Sequence, residues 1–378
     1  MAEDQQLTIN GNNVPFRPGQ TILEAAEEAG IWIPTLCHLK GSVPTGACRI
    51  CVVEVEGARS LLPACSTPAT PGMKVHTETR EVVRSRRLVL ELLISSGNHN
   101  CAVTGELQKS WAAFQLDAMK YDGTDELCPV WGDCRLQDLA FHYQVKAGRF
   151  SLEAPSEHPA ELLNPLIVRD FSRCILCGRC VQACNEIQVN RAISYGFRGK
   201  QSKIVTAGDR TLADSDCVFC GECVQACPVG ALVEKKSRYL WRPWKETRVR
   251  TTCPYCGVGC QQWLHVQDGR IVKVTGVAEA EPNKGRLCVK GRFGYDFIYS
   301  DERIKTPLIR EGEDFREASW DEALDLVAER FKQVIGESSP DAVAGVSCAR
   351  SINEDSYNMQ KLFRAVFKTN NIDHCART

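Results

Sequence analysis

The chain has 378 residues, 21 of them cysteine, and a formal net charge of −1 from 46 basic and 47 acidic side chains. That balance leaves no concentrated basic excess and argues against a nucleic-acid binder. Met1-Ala2-Glu3-Asp4-Gln5-Gln6 is not a secretory leader, Arg86-Arg87 lies too deep to be an export signal, and no apolar run approaches the ~20 residues that cross a bilayer, so a cytoplasmic protein without a transmembrane segment is expected.

Nineteen of the cysteines fall into five consecutive groups. A disulfide framework would suit a short secreted chain, whereas here the cysteines form tight runs in a long one. Sets of about four thiolates are what iron–sulfur clusters use. Five such sets in series read as a conductor for single electrons. Metal–thiolate bonds also supply folding free energy, which lets each module stay small.

Residues 1–78 read as a small β-rich module with one helix. Leu7–Asn10 and Val14–Arg17 are strand candidates around the turn Gly11-Asn12-Asn13, and Thr21-Ile22-Leu23-Glu24 is a capping box whose helix should stop at Gly30. Cys37-x10-Cys48-x2-Cys51-x13-Cys65 then gathers three thiols in a loop containing Gly41, Pro44 and Gly46, ahead of the strand Cys51–Val55. Such a loop offers free backbone N–H groups to a [2Fe–2S] cluster, while four-cysteine zinc sites come as two separated pairs. The element order resembles a β-grasp ferredoxin. The spacing is similar to the N-terminal domain of the large iron–sulfur subunit of complex I.

Residues 79–145 form the second module. A helix over 81–95 carries an apolar side (Val82, Val83, Leu88, Val89, Leu92, Leu93), with Arg84, Arg86 and Arg87 expected on its solvated face. His99 and Cys101 follow, then Cys128-x5-Cys134-Arg135-Leu136-Gln137. This ending resembles the complex I-family [4Fe–4S] site bound by one His and three Cys, which implies ligation by His99, Cys101, Cys128 and Cys134, with His142 as the fallback imidazole. In this chain 26 residues separate Cys101 from Cys128, where the family pattern has two. A longer loop between ligands costs only about 1–2 kcal/mol in closure entropy and is compatible with the site.

Residues 165–240 contain Cys174-x2-Cys177-x2-Cys180-x3-Cys184 and Cys217-x2-Cys220-x2-Cys223-x3-Cys227, with Pro228 after the second run and Asn185 after the first. Two runs in tandem are the bacterial two-[4Fe–4S] ferredoxin pattern, in which the fourth cysteine of each run serves the other cluster. By that rule Cys174, Cys177, Cys180 and Cys227 hold one cluster, and Cys217, Cys220, Cys223 and Cys184 the other. Gly178 and Gly221 sit where the backbone must approach closely.

Residues 246–302 carry Cys253-x2-Cys256-x3-Cys260-x27-Cys288. This motif resembles the N-terminal [4Fe–4S] domain of molybdenum- and tungsten-bis(pterin guanine dinucleotide) enzymes, which implies that Lys290 lies between cluster and pterin as an electron relay. Residues 303–378 read as the opening of an α/β pterin-binding domain, with a helix over 321–335 and a strand within 342–346. Cys348 and Cys375 stand outside the five groups and are expected to be buried and inert.

The segments Gly291-Arg292-Phe293-Gly294-Tyr295-Asp296-Phe297, Ser319-Trp320-Asp321-Glu322-Ala323-Leu324 and Asn370-Asn371-Ile372-Asp373-His374-Cys375-Ala376-Arg377 extend the resemblance to nearly the whole chain. They are similar to cytoplasmic, NAD-linked formate dehydrogenase catalytic subunits with a complex I-like front end. The resemblance implies an α+β multi-domain fold: a β-grasp [2Fe–2S] domain, a His/Cys [4Fe–4S] domain, a two-[4Fe–4S] domain, a pterin-type [4Fe–4S] domain and the start of a pterin domain. It implies one [2Fe–2S] and four [4Fe–4S] clusters, with molybdenum or tungsten bis-PGD in the full-length protein. Formate or carbon dioxide would be the substrate. The partner would be a flavin- and NAD-binding diaphorase-type iron–sulfur subunit, with a hydrogenase or ferredoxin as the alternative; no G-x-G-x-x-G fingerprint is present, so nicotinamide would bind elsewhere.

Two readings compete. The large subunit of an NADH:quinone oxidoreductase ordinarily has one three-cysteine run with a distant fourth ligand, and lacks the Asp-His-Cys-Ala-Arg segment. A stand-alone polyferredoxin carrier is the non-enzyme alternative. In formate dehydrogenases the residue after the position of Thr378 is the metal ligand, cysteine or selenocysteine, so a selenocysteine codon directly after Thr378 is expected. From the ligand count, anaerobically assembled protein should hold about 18 iron atoms per chain. Iron near ~14 in an acid-labile sulfide and metal assay would remove the His99 centre, and stoichiometric zinc would displace one of the clusters.

Overall fold

A computed structural model of the protein describes residues 5–97, 99, 101, 113, 128–146, 149–150 and 158–376. Two compact units divide it, Met1–Glu246 and Thr247–Thr378. The first opens with β1 (Gln5–Ile9), β2 (Asn12–Phe16), helix α1 (Ile22–Glu28), β3 (Val52–Val55), β4 (Leu62–Pro63) and β5 (Lys74–His76). The sheet order is β2-β1-β5-β3-β4, with β1 and β5 parallel and the other pairs antiparallel. Strand alternation turns Leu7, Ile9, Val14 and Phe16 inward onto Ile22, Leu23, Ala25 and Ala26 of α1. The helix starts on the capping box, with the Glu24 N–H donating to Thr21 Oγ1 at 3.2 Å and the Thr21 N–H donating to the Glu24 carboxylate at 2.7 Å. Left-handed Gly30 (φ 70°) follows its end. Cys51 and Cys65 are part of this same core, so this cradle and the fold share their interior.

Helix α2 (Arg80–Ser95) corrects the sequence expectation in two ways. Its buried positions are Val82, Arg86, Leu90 and Ile94, a single row spaced by four, whereas Leu88 and Leu92 are exposed. Arg86, expected on the solvated face, is fully buried. Its Nε donates to Ile50 O at 3.0 Å and its Nη2 to Val52 O at 2.8 Å, while Nη1 reaches Glu78 Oε1 at 2.6 Å and Tyr143 Oη at 2.7 Å. Buried carbonyls need donors, and the guanidinium fork satisfies these two where an apolar side chain could not. Helix α3 (Arg135–His142) packs on α2.

Beyond it, β6 (Ile167–Arg169) and β9 (Leu232–Glu234) pair antiparallel and bracket the two cysteine runs. Each run leads into a short helix, α4 (Arg179–Gln182) and α5 (Glu222–Ala226), and the hairpin β7 (Ser194–Gly196)–β8 (Lys203–Val205) lies between them in sequence.

The second unit begins with an antiparallel sheet of β10 (Thr247–Thr252), β11 (Gln261–Gln267) and β12 (Arg270–Gly276), followed by α6 (Val289–Phe293). A hairpin of β13 (Leu308–Glu311) and β14 (Asp314–Glu317) leads to α7 (Trp320–Glu337), which Ser319 caps. The parallel pair β15 (Gly345–Ser347) and β16 (Ile372–His374) flanks α8 (Asn353–Lys361) in sequence. Cys348 and Cys375, expected to be buried, are both exposed, with their sulfurs 3.5 Å apart. They sit one residue beyond the ends of β15 and β16, where parallel pairing brings them side by side on a sheet only two strands wide. Among the described residues no helix is long and apolar enough to cross a membrane.

Replacing Arg86 with Met should cost about 3 kcal/mol of stability in denaturant titrations, because buried carbonyls and Glu78 lose their partner. Arg84→Ala, at an exposed position of the same helix, should stay within about 0.5 kcal/mol.

Candidate iron–sulfur centres

The loop from Cys37 to Cys51 is folded so that its amides face sulfur. The Cys48 N–H donates to Cys37 Sγ at 3.5 Å and Thr45 Oγ1 to the same sulfur at 3.7 Å, with the Ala47 N–H also turned to it. The Gly46 N–H faces Cys65. Gly46 holds φ 61°, and a Cβ there would lie 3.0 Å from Ser66 Oγ, so side chains are excluded where the backbone must curl. The thiols meet in two pairs. Donation from Cys48 holds Cys37 down to about 5 and pushes Cys48 up; donation from Cys51 holds Cys65 down to about 7 and pushes Cys51 up. Four sulfurs with converging N–H donors fit a small anionic cluster.

In the second module the structure brings Cys101, Cys128 and Cys134 together: burial raises the Cys134 thiol, and the charges of Cys101 and Cys128 add to it. His99 is buried, and desolvation with the Arg173 guanidinium holds its imidazole down to about 4, in the neutral form that binds metals. The fallback, His142, packs edge-on against Trp32 at 4.7 Å between ring centroids. Asn98, Asn100 and nearly all of the segment between Cys101 and Cys128 lie outside the described residues, as does Thr378.

The two ferredoxin-type runs repeat one backbone path. Leu176 and Gly178 in the first, Phe219 and Gly221 in the second, all hold φ between 52° and 78°. Alternating left-handed residues curl the chain so that N–H groups point inward as a nest for an anion. The Phe219 N–H donates to Cys217 Sγ at 3.4 Å, and the Leu176 N–H faces Cys174. A cavity with apolar walls is lined by Cys174, Cys177, Cys180, Cys223 and Cys227. Burial is the leading cause that lifts Cys174 to about 11 and Cys177 to about 12, and Cys227 acts on both. Cys217 instead feels Cys220 and Cys184. Cys223 and Cys227 of the second run thus line the cavity of the first, and Cys184 of the first run acts on Cys217 of the second.

The fourth motif closes at the β10–β11 turn, where the Cys253 N–H donates to Cys260 O at 2.8 Å. Cys253, Cys256, Cys260 and Cys288 act on one another electrostatically, and burial raises Cys253 and Cys260. Gly291 lies against Cys253, where a Cβ would stand in van der Waals contact with the sulfur at 3.4 Å. Tyr255, not singled out by its sequence position, donates its hydroxyl to Gly294 O and ties the motif to the end of α6. Asn283, also unforeseen, bonds the β11 backbone at Gln261 N (2.8 Å) and O (3.0 Å). Lys290 is exposed on α6, two residues from Cys288.

Among the described residues no three His, Cys, Asp or Glu side chains converge on a single metal-ion position. The sulfurs of Cys174, Cys177, Cys180 and Cys227 instead line a cavity, an arrangement that suits a multi-iron group. Apolar burial favours the protonated form of several of these thiols, so iron held by them would displace those protons.

These cradles belong to a chain whose segments match four family models: a 2Fe-2S iron-sulfur cluster binding domain over residues 3–80, the ferredoxin-like domain of NADH-quinone oxidoreductase subunit 3 over 164–233, the molybdopterin oxidoreductase Fe4S4 domain over 246–300 and molybdopterin oxidoreductase over 303–378. An NADH-quinone oxidoreductase subunit of Rhizobium meliloti (strain 1021) is 36% identical over 98% of this chain and 40% of its own length. The NADPH-Fe(3+) oxidoreductase subunit alpha of Geobacter sulfurreducens is 37% identical with the same coverage. A Staphylococcus haemolyticus protein described as a putative formate dehydrogenase is 30% identical over all of this chain and 39% of its own length. A chain in the crystal structure of an NAD+-reducing [NiFe]-hydrogenase in the H2-reduced state matches with a TM-score of 0.53 and 33% identity, covering 63% of this chain and 90% of that one. The class is thus an iron–sulfur electron-transfer protein. The chain belongs to the molybdopterin oxidoreductase family with iron–sulfur domains and spans about 40% of the length of the curated relatives it matches.

Serine in place of Cys227 should abolish the tetranuclear EPR signal that Cys177→Ser also abolishes, and spare the one lost in Cys184→Ser. Paired loss of the Cys227 and Cys220 signals would mean that ligation stays within each run.

Proposed function

We propose that the chain is the iron–sulfur conduit of a formate dehydrogenase catalytic subunit, carrying single electrons between a molybdenum or tungsten bis-PGD site and a flavin- and nicotinamide-binding partner subunit. The observation that carries the conduit is the grouping of thiols into successive cradles, three of which border one apolar core. Leu36, Ile50, Leu90 and Leu136 form its centre, with Cys101 and Cys134 inside it and Cys48, Cys174 and Cys227 against it. Neighbouring centres separated by a few packed side chains suit electron transfer without diffusing carriers. When bound, the clusters supply one-electron redox chemistry. The protein contributes the ligands, the amides aimed at sulfur, and the exclusion of water.

Formate as substrate is supported by the Asp373-His374-Cys375-Ala376-Arg377 segment and by the relatives described as formate dehydrogenases. The nicotinamide-linked partner is supported by the NAD+-reducing hydrogenase structure and by the NADPH-Fe(3+) oxidoreductase relative. A second reading, the large subunit of an NADH:quinone oxidoreductase, is favoured by the 36% identity to the Rhizobium meliloti protein.

The full-length protein with its co-purifying subunits decides between them. Formate-dependent reduction of both viologen dye and NAD supports the first reading; NADH-dependent quinone reduction with no response to formate supports the second. In the formate-active enzyme, Lys290→Ala should leave iron content unchanged and slow turnover with both acceptors. Unchanged turnover would make Lys290 an ordinary surface residue.

A further inference from the structure

Three of the buried arginines in the first unit meet a carboxylate: Arg86 pairs with Glu78, Arg169 with Glu161 and Arg173 with Asp170. Among the described residues Arg179 meets none. It is 5% exposed, and its contacts run to two main-chain oxygens, Nε to Ala226 O at 2.7 Å and Nη1 to His38 O. These carbonyls belong to residues directly beside candidate ligands, Ala226 before Cys227 and His38 after Cys37. A guanidinium stays charged in proteins, and the groups beside it that can carry negative charge are the sulfurs of Cys177, Cys227 and Cys37. A buried cation without a counter-ion is costly, and needs negative charge nearby. Clusters held by Cys37 and by Cys177 and Cys227 would provide it.

The same contact is fastened at two more points. Gln182 Nε2 donates to Val43 O at 2.6 Å, and the Val43 N–H donates to Glu186 Oε2 at 2.7 Å. The loop that gathers Cys37 and Cys48 is therefore clamped onto the segment 179–186 that follows Cys177, although 139 residues separate Val43 from Gln182.

We propose that Arg179 is a shared electrostatic tie between the Cys37–Cys65 centre and the Cys174/Cys177/Cys180/Cys227 centre, positioning both and raising the reduction potential of each. Each centre gains one negative charge when it accepts one electron, and the fixed guanidinium favours that reduced form on either side. An electron that leaves one centre and enters the other thus stays within the field of the same cation, which shifts both potentials in the same direction. This inference rests on the cluster reading above.

The test is an EPR-monitored redox titration of the anaerobically reconstituted chain, with iron and sulfide determined in parallel. Arg179→Gln should retain iron and shift both the binuclear signal and one tetranuclear signal to more negative potential, leaving the Cys253–Cys288 signal in place. Arg179→Lys should restore both. If Arg179→Gln loads iron normally and either potential stays put, the shared tie is wrong. Should the Gln variant fail to load those two centres, loading of Arg179→Lys supports the role of the charge, and failure of the Lys variant as well overturns it. Wild-type protein with neither signal would overturn the cluster reading itself, an outcome distinct from unmoved potentials.

Discussion

Burying cysteine sulfur in apolar surroundings is the constraint on which this structure turns. A thiolate in a low-dielectric interior is unfavourable unless cations or N–H donors meet it. The chain answers with curled loops whose amides point inward, through Gly46 and Cys48 in the first module and through left-handed Leu176, Gly178, Phe219 and Gly221 in the third. Burial pushes Cys134, Cys174, Cys177 and Cys180 upward, so iron bound there would have to displace their protons. Assembly and folding are thereby linked.

That linkage explains why the modules are not separable beads. Cys51 and Cys65 are core residues of the β-grasp sheet, and Cys101 and Cys134 are core residues of the helical module. Arginines do the joining where backbone oxygens cross from one module to the next. Arg86 binds the carbonyls that lead into and begin β3, and Arg179 binds the carbonyls beside Cys37 and Cys227. A guanidinium offers several donors in one rigid plane, so it can serve two segments at once.

The second unit carries a different cradle, built at a β-turn and closed from a distant segment. Cys288 must travel from beyond β12 to reach Cys253, and the hydrogen bonds of Asn283 to Gln261 hold that segment against β11. Cys348 and Cys375 show the converse: placed next to each other by parallel strand pairing, they remain at the surface of a two-stranded sheet.

The sequence by itself determined the grouping of the cysteines along the chain, the capped helix after Thr21, the strands around Gly11 and the repeated backbone path of the two ferredoxin runs, because each depends on short-range spacing or local backbone chemistry. It could not assign Arg86 or Arg179. Both are charged residues, and a local pattern reads such residues as solvated. Their burial follows from contacts 36 and 141 residues away, to Ile50 O and His38 O. The exposure of Leu88 and Leu92 and the roles of Tyr255 and Asn283 were hidden for the same reason. Which face of a helix is covered, and which carbonyl lacks a partner, is decided only when distant segments meet, since desolvation and hydrogen-bond satisfaction depend on the assembled interior rather than on the residue's own neighbours.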